Sequence, residues 1–177
     1  RLASVSDDLT MRLWDTETGR EILVLSRFDP FLYNIAFSKD GHELFARGKT
    51  NSLKVLNAIP MAEPRAQASS CWQGHTELVY CINYSPSGHQ LISSGHDGIP
   101  RIWNTTNGQL IKKINMGAQD STNAQFSPDG KWIAAWGIMD GQWTVKVFEA
   151  NPPYTGQFAV RYGVETFGFT FSTDSQF

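Results

Sequence analysis

Any chemistry in this chain would have to come from its four histidines, two cysteines and the serines and carboxylates around them. Cys71 and Cys81 are too few for a disulfide framework, and no second Cys/His cluster offers zinc-ligand spacing. Both read as free thiols, which fits a reducing compartment. His42 and His89 each follow the glycine of a turn and read as solvated. Most Asp and Glu also fall in turns, where acidic residues are common, so no carboxylate pair is set apart for acid–base work. No G-x-G-x-x-G or Walker pattern is present to cradle a phosphate. No metal or cofactor is therefore expected. A serine, a histidine and an aspartate brought together could still support acyl transfer. Whether any such set forms depends on the elements that carry it.

Those elements repeat. A four-residue turn recurs as Ser38-Lys39-Asp40-Gly41, Ser85-Pro86-Ser87-Gly88, Ser127-Pro128-Asp129-Gly130 and Ser172-Thr173-Asp174-Ser175, at spacings of 47, 42 and 45 residues. About 20 residues after each turn but the last comes an alternating strand, in phase with the turns. Its copies are Leu53-Lys54-Val55-Leu56-Asn57, Pro100-Arg101-Ile102-Trp103-Asn104 and Val145-Lys146-Val147-Phe148-Glu149, with an earlier one at Met11-Arg12-Leu13-Trp14-Asp15. Between the two marks the hydrophobic period is two, as at Ile35/Phe37, Ile82/Tyr84, Ala124/Phe126 and Phe169/Phe171. This is the pattern of strands with one buried face. No stretch sustains a 3.6-residue period. About sixteen strands are expected, in groups of four from near Leu2 to near Phe171. Pro100 lacks an N–H for a ladder, so it belongs at a first strand position or a bulge.

Composition agrees with a folded β domain. Of 177 residues, 41% are hydrophobic and 18% charged, and the net charge of −2 comes with no basic run to mark a nucleic-acid footprint. No apolar run approaches a membrane span. Arg1 is not a start methionine and the last residues stop inside a turn, so the natural protein is expected to extend beyond both ends.

The repeat resembles the WD-repeat family over essentially the whole chain, best from Gly74-His75 to Trp103. In that family a Gly-His pair opens the repeat, an Asp sits in a tight turn, a Ser or Thr precedes it by four residues, and a Trp ends the third strand. The resemblance implies a β-propeller of four-stranded antiparallel blades. It divides the chain at 1–27, 28–73, 74–115, 116–162 and 163–177, the first and last being partial. Strand arithmetic would allow a closed ring of four blades. An arc of a larger ring of about seven is preferred, and an isolated arc would expose a sheet face at each end.

The resemblance also implies that His75, Ser93, Asp97 and Trp103 form one buried hydrogen-bonded chain. Donor and acceptor chemistry permits it: Asp97 orients one imidazole nitrogen, the other meets the Ser93 hydroxyl, and Ser93 accepts from the indole. The same residues contain Ser, His and Asp, but the register places Ser93 inside a central strand, whereas a nucleophile must be exposed beside an oxyanion pocket. The first copy keeps a partial set, Ser4, Asp8 and Trp14. The second has Arg27-Phe28 for Gly-His, Ala46 for Ser, Thr50 for Asp and Leu56 for Trp. The fourth has Met116-Gly117, Ala135 and Phe148, with Asp140 before a two-residue insertion near Gln142-Trp143.

Propellers of this family present one ring face to partners. Carried over position by position, that face comprises Phe31, Tyr33, Leu78, Tyr80, Asp120, Thr122, Glu165 and Phe167, with Asp7, Lys49, His96 and Met139. It is rich in the aromatic residues that anchor protein interfaces. Trp132, Trp136 and Trp143 read as packing between blades. The inner strands carry Asn34, Asn83, Asn123 and Gly168, polar but not catalytic. The expectation is a non-catalytic cytoplasmic scaffold that binds other proteins, with no nucleic acid, membrane or small molecule among its partners. A ligand sensor or enzyme using the central channel is the alternative, and a purely structural arc that completes a ring is a third reading.

Overall fold

The structure is a computed structural model. It describes all residues except 7, 27–33, 48–51, 58–67, 163–168 and 174–177, and within strands it leaves aside the side chains of 26, 47, 52, 57, 68–70, 121, 122 and 157.

Four antiparallel sheets follow one another along the chain. The first holds β1 (Leu2–Val5), β2 (Thr10–Trp14) and β3 (Glu21–Ser26). The second holds β4 (Asn34–Phe37), β5 (Glu43–Arg47), β6 (Ser52–Asn57) and β7 (Ala68–Gln73). β8 (Val79–Tyr84), β9 (Gln90–Gly95), β10 (Arg101–Asn104) and β11 (Leu110–Lys113) make the third. The fourth consists of β12 (Asp120–Phe126), β13 (Trp132–Met139), β14 (Gln142–Glu149) and β15 (Gly156–Tyr162). In each four-stranded sheet the neighbours in space are neighbours in sequence, an up-and-down meander. Among the described residues there is no helix, and none therefore long and apolar enough to cross a membrane.

The meander follows from local chemistry. Each Ser-x-x-Gly segment is a turn closed by the glycine N–H donating to the serine carbonyl at 2.9 Å, in the first three copies. Gly41, Gly88 and Gly130 sit there at φ +72°, +80° and +73°, a region that costs a side chain dearly. In the fourth sheet, Asp140 and Gly141, both at positive φ, form a two-residue hairpin turn between two eight-residue strands. The extra residues near Gln142 thus lengthen the β13–β14 hairpin instead of forming a loop.

The sheets bury their faces on one another. One apolar cluster joins Met11, Leu13 and Leu25 of the first sheet to Leu44, Ala46 and Leu56 of the second. A second joins Phe45, Leu53, Val55 and Trp72 to Val79, Ile82, Leu91 and Trp103 of the third. The last joins Ile92 and Ile102 to Ala124, Ile133, Ala135 and Phe148 of the fourth. Consecutive residues of one strand, Leu91 and Ile92, therefore face opposite neighbours, as a period of two requires. Radial stacking of four-stranded sheets is the blade arrangement of a β-propeller.

Three expectations need adjustment. Fifteen strands, not about sixteen, are present among the described residues. Phe169–Phe171 is not in a strand, because its alternating pattern finds no ladder partner there. Its neighbourhood is nonetheless that of an inner strand: Gln125 Nε2 donates to the Phe169 carbonyl at 3.3 Å, just as Asn83 Nδ2 donates to the Ala124 carbonyl at 3.2 Å one sheet earlier. Pro100 stands one residue before β10, where its missing N–H costs no ladder bond, and its carbonyl accepts from Ile114 N–H.

Candidate functional site

The residues of the third blade come together as one polar chain. Ser93 lies at the centre of β9, fully buried, and pairs across the ladder with Arg101 of β10. Trp103 Nε1 donates to Ser93 Oγ at 2.7 Å, and Ser93 Oγ lies 2.7 Å from His75 Nε2. His75 Nδ1 is 3.0 Å from Asp97 Oδ2. Asp97 also accepts the main-chain N–H groups of Thr76 and Ile99, which holds the turn between β9 and β10. Gly74 is required by packing: a Cβ there would come within 2.8 Å of the Trp103 ring, whose place the indole hydrogen bond fixes.

Arg101 completes the cluster, and the sequence reading did not include it. Its side chain is 2% exposed and Nη1 lies 2.8 Å from Asp97 Oδ2. The same nitrogen donates to the Ile99 carbonyl at 2.7 Å. Nη1 is also 2.7 Å from His75 Nδ1. That contact is not a hydrogen bond if Nδ1 carries the imidazole proton. The proton belongs there, because an unprotonated Nδ1 would turn its lone pair on the Asp97 carboxylate. It would also leave the Ser93 hydroxyl hydrogen without an acceptor, since Trp103 is donor only. The chain therefore runs Trp103 to Ser93 to His75 to Asp97, each donating to the next, and Arg101 balances the carboxylate charge.

The titrations agree with this assignment. Burial alone would raise the Asp97 carboxyl, but the His75 hydrogen bond and charge, the Thr76 N–H and Arg101 bring it down to about 2. Burial pushes His75 below its ordinary value, against the pull of Asp97 and with the Arg101 charge. At neutral pH the cluster is a neutral imidazole between a carboxylate and a guanidinium. Ser93 is closed to any substrate, and its hydroxyl already donates and accepts inside the core. This geometry can lock a blade; it cannot attack an acyl group.

A signal for Arg101 was available. The third-strand copies each carry a cation at the same register: Arg12 opposite Ser4, Lys54 opposite Ala46, Arg101 opposite Ser93 and Lys146 opposite Ala135. In the first blade Trp14 Nε1 donates to Ser4 Oγ at 2.9 Å, while Asp8 accepts from Thr10 and lies 3.4 Å from Arg12. In the second, Ala46 and Leu56 are fully buried and apolar. In the fourth, Lys146 Nζ donates to the Met116 carbonyl at 2.6 Å, beside Gly117, which stands where the third copy has His75.

The outward residues distribute unevenly. Leu78 and Tyr80 are half-buried at one end of β8, His96 is exposed, and Asp120 is half-buried. Tyr80 and His96 rings meet edge to face at 6.0 Å, and His96 Nε2 is 3.5 Å from Asp120 Oδ2. Met139 is a correction: it is 4% exposed and belongs to the core between the third and fourth blades, because the longer β13–β14 hairpin carries the position before the turn inward. Thr122 lies in β12, and its side chain is outside the described set. Phe31, Tyr33, Glu165, Phe167, Asp7 and Lys49 lie outside the described residues, as do Arg27, Phe28, Thr50 and Gly168. Trp136 and Trp143 are in ring contact at 4.6 Å on the face of the fourth sheet turned away from the third. Phe158, Val160 and Tyr162 continue that face, 45%, 42% and 39% exposed. Among the described residues no group of His, Cys, Asp and Glu could hold a metal ion.

Comparison with known proteins agrees with the stacked sheets. A family model described as WD domain, G-beta repeat, matches residues 67–104, the segment that carries His75, Ser93, Asp97 and Trp103. Residues 67–104 thus carry a WD repeat, and the chain is similar to WD-repeat proteins. It is 26% identical over 121 residues to human WD repeat-containing protein 18, covering 64% of this chain and 28% of that protein. It is 32% identical over 105 residues to the ribosome biogenesis protein ytm1 of Botryotinia fuckeliana, covering 56% of this chain and 21% of the relative. To rat apoptotic protease-activating factor 1 it is 26% identical over 163 residues, covering 87% of this chain and 13% of the relative. The chain thus spans under a third of the length of these curated relatives. WD repeats in general bind other proteins.

Proposed function

We propose that the chain is a non-catalytic docking scaffold whose partner face is the end of the blades bearing Leu78, Tyr80, His96 and Asp120. The observation that carries this reading is the contact of Tyr80, His96 and Asp120 across the boundary between the third and fourth blades. An edge-to-face aromatic pair beside a half-exposed carboxylate gives both apolar area and directional bonding, the combination that anchors interfaces. The blades beneath supply rigidity, so a partner would meet a preformed surface. The enzyme alternative has little support, since the set Ser93, His75 and Asp97 is buried and internally satisfied. The same reading puts the protein in the cytoplasm.

The test is a quantitative pull-down with the full-length protein. Tyr80→Ser with His96→Ser should abolish capture of the partner recovered by the wild type, with an unchanged circular dichroism spectrum. Undiminished capture would show that this end is not the docking face.

A further inference from the structure

The opposite end of the same blades holds a second feature. Tyr84 is the last residue of β8, about 17 Å along the strand from Val79 and its neighbour Tyr80. There the β4–β5, β8–β9 and β10–β11 turns enclose a cleft of about 600 Å3 between the second and third blades. Its walls include Asp40, Glu43, Tyr84, His89, Thr105 and Thr106. Glu43, Thr105 and Thr106 also line an adjoining recess of about 460 Å3 that reaches Cys71, Gln73 and Asn107. The two form one elongated groove with Glu43 at its waist.

Two polar groups beside the cleft lack a partner among the described residues. The Tyr84 hydroxyl is buried and meets no hydrogen-bond partner among the described residues, although its ring packs edge-on against Phe45 at 5.2 Å. Glu43 is held by its main-chain N–H, which donates to Ser38 Oγ at 2.9 Å, while its carboxylate has no ion pair or hydrogen bond among the described residues. Asp40 is different. It accepts from Ser38 Oγ and from His42 N–H, so its charge is committed to its own turn. Thr105 is likewise committed, donating to the Gly88 carbonyl at 2.8 Å. Partial burial and the nearby Asp40 raise the Glu43 carboxyl above its ordinary value, as expected of a carboxylate lacking a counter-ion.

We infer that this groove receives a cationic side chain, a lysine or arginine carried on an extended segment of a partner protein, with Glu43 as its counter-ion. An ammonium or a guanidinium gives the Glu43 carboxylate the charge-assisted donor that it lacks among the described residues. The lining is net negative, with Lys39 against Asp40 and Glu43, which disfavours an anion. The adjoining recess leaves room for the residues on either side of the cation. This site lies apart from the face bearing Tyr80 and stands or falls separately from it.

Ligand-observed NMR on the full-length protein tests the inference with n-butylguanidinium as probe, and n-butyrate and inorganic phosphate as anionic controls. The guanidinium should bind saturably. Glu43→Gln should weaken it about tenfold, the ratio that 1.4 kcal/mol represents. Tyr84→Phe should leave both the affinity and the melting temperature unchanged, since the hydroxyl it removes is walled off from the cleft and has no partner among the described residues. Tyr80→Ser, at the other end, should leave the affinity unchanged. The inference is overturned if no saturable binding occurs, if butyrate or phosphate binds as well, or if Glu43→Gln binds like the wild type. Loss with Tyr80→Ser alone would assign the cation to the other end and equally overturn it.

Discussion

The centres of the second and third blades share one ladder and are filled in opposite ways. Ser93 faces Arg101 and Leu91 faces Trp103 in the third; Ala46 faces Lys54 and Leu44 faces Leu56 in the second. The strands, their register and the packing between blades are the same kind of structure in both. What differs is whether the middle is a closed chain of donors and acceptors or an apolar plug. A hydrogen bond contributes modestly when made and costs more when one partner is orphaned, so either complete solution is acceptable and a partial one is not. The fourth blade follows the second in having Ala135 and Phe148, with Lys146 bonded to a main-chain carbonyl instead of a carboxylate.

The comparison breaks most severely at Asp97. Asp97→Ala would leave Arg101, His75 Nδ1–H and the Thr76 N–H without their common acceptor inside the core. Removing one member of a buried ion pair costs about 3–5 kcal/mol. Urea denaturation followed by tryptophan fluorescence should show a loss of that size. A loss below about 1 kcal/mol would mean that Arg101 does not depend on Asp97, since that is the range of exposed pairs.

Ser93→Ala comes next, at about 2–3 kcal/mol, because it orphans both His75 Nε2 and the Trp103 indole. Combined with Trp103→Phe it should cost less than the sum, since the indole is no longer there to be orphaned. The reciprocal change in the second blade, Ala46→Ser, inserts a hydroxyl against the fully buried Leu44 and Leu56 and should cost about 1–3 kcal/mol. A neutral Ala46→Ser would show that the second centre is less dry than its packing indicates.

These contrasts also explain what could be read in the sequence. The strand phases were legible because period-two patterns and Ser-x-x-Gly turns are local. The set His75, Ser93, Asp97 and Trp103 was legible because one ladder register fixes the spacing. Arg101 was not, since a cation in a strand usually marks a solvated face, and only its ladder position opposite Ser93 puts it in the core. Met139 was misread because two added residues lengthen a hairpin and turn the position before Asp140 inward. Phe169 and Phe171 show that a strand is a pairing, not a pattern. The groove at Glu43 and Tyr84 has no sequence signature at all: three turns from two blades assemble it.

Acid should sharpen the comparison further. Asp97 sits at about 2 in the folded chain against an ordinary 3.8, so the unfolded chain takes up the proton first. Its contribution is complete above 3.8 and is lost as the pH falls through about 2, a difference of about 2 kcal/mol. His75 is also held below its ordinary 6.5 by burial. Its contribution is complete above that value and declines as the pH falls toward the folded one. The urea midpoint should therefore fall in two stages on acidification, and Asp97→Asn should shrink the lower stage, to which Asp8, Asp15, Asp40 and Asp129, also held below their ordinary value by turn hydrogen bonds, contribute. A midpoint that stays level from pH 6.5 down to 3.8 would contradict a neutral, buried imidazole.

The smallest effect is expected at Arg12, which occupies in the first blade the register that Arg101 occupies in the third. Its side chain is 36% exposed and pairs with Glu21 at 2.8 Å and Asp8 at 3.4 Å, both also exposed. Water solvates all three, so removing the cation orphans nothing. Arg12→Met should leave the urea midpoint unchanged, while Arg101→Met lowers it. Raising the salt concentration should screen the Arg12 pairs and leave the buried pair in the third blade almost untouched. Equal losses at the two positions would mean that exposure is not what separates them, and that the first blade's centre is as closed as the third's.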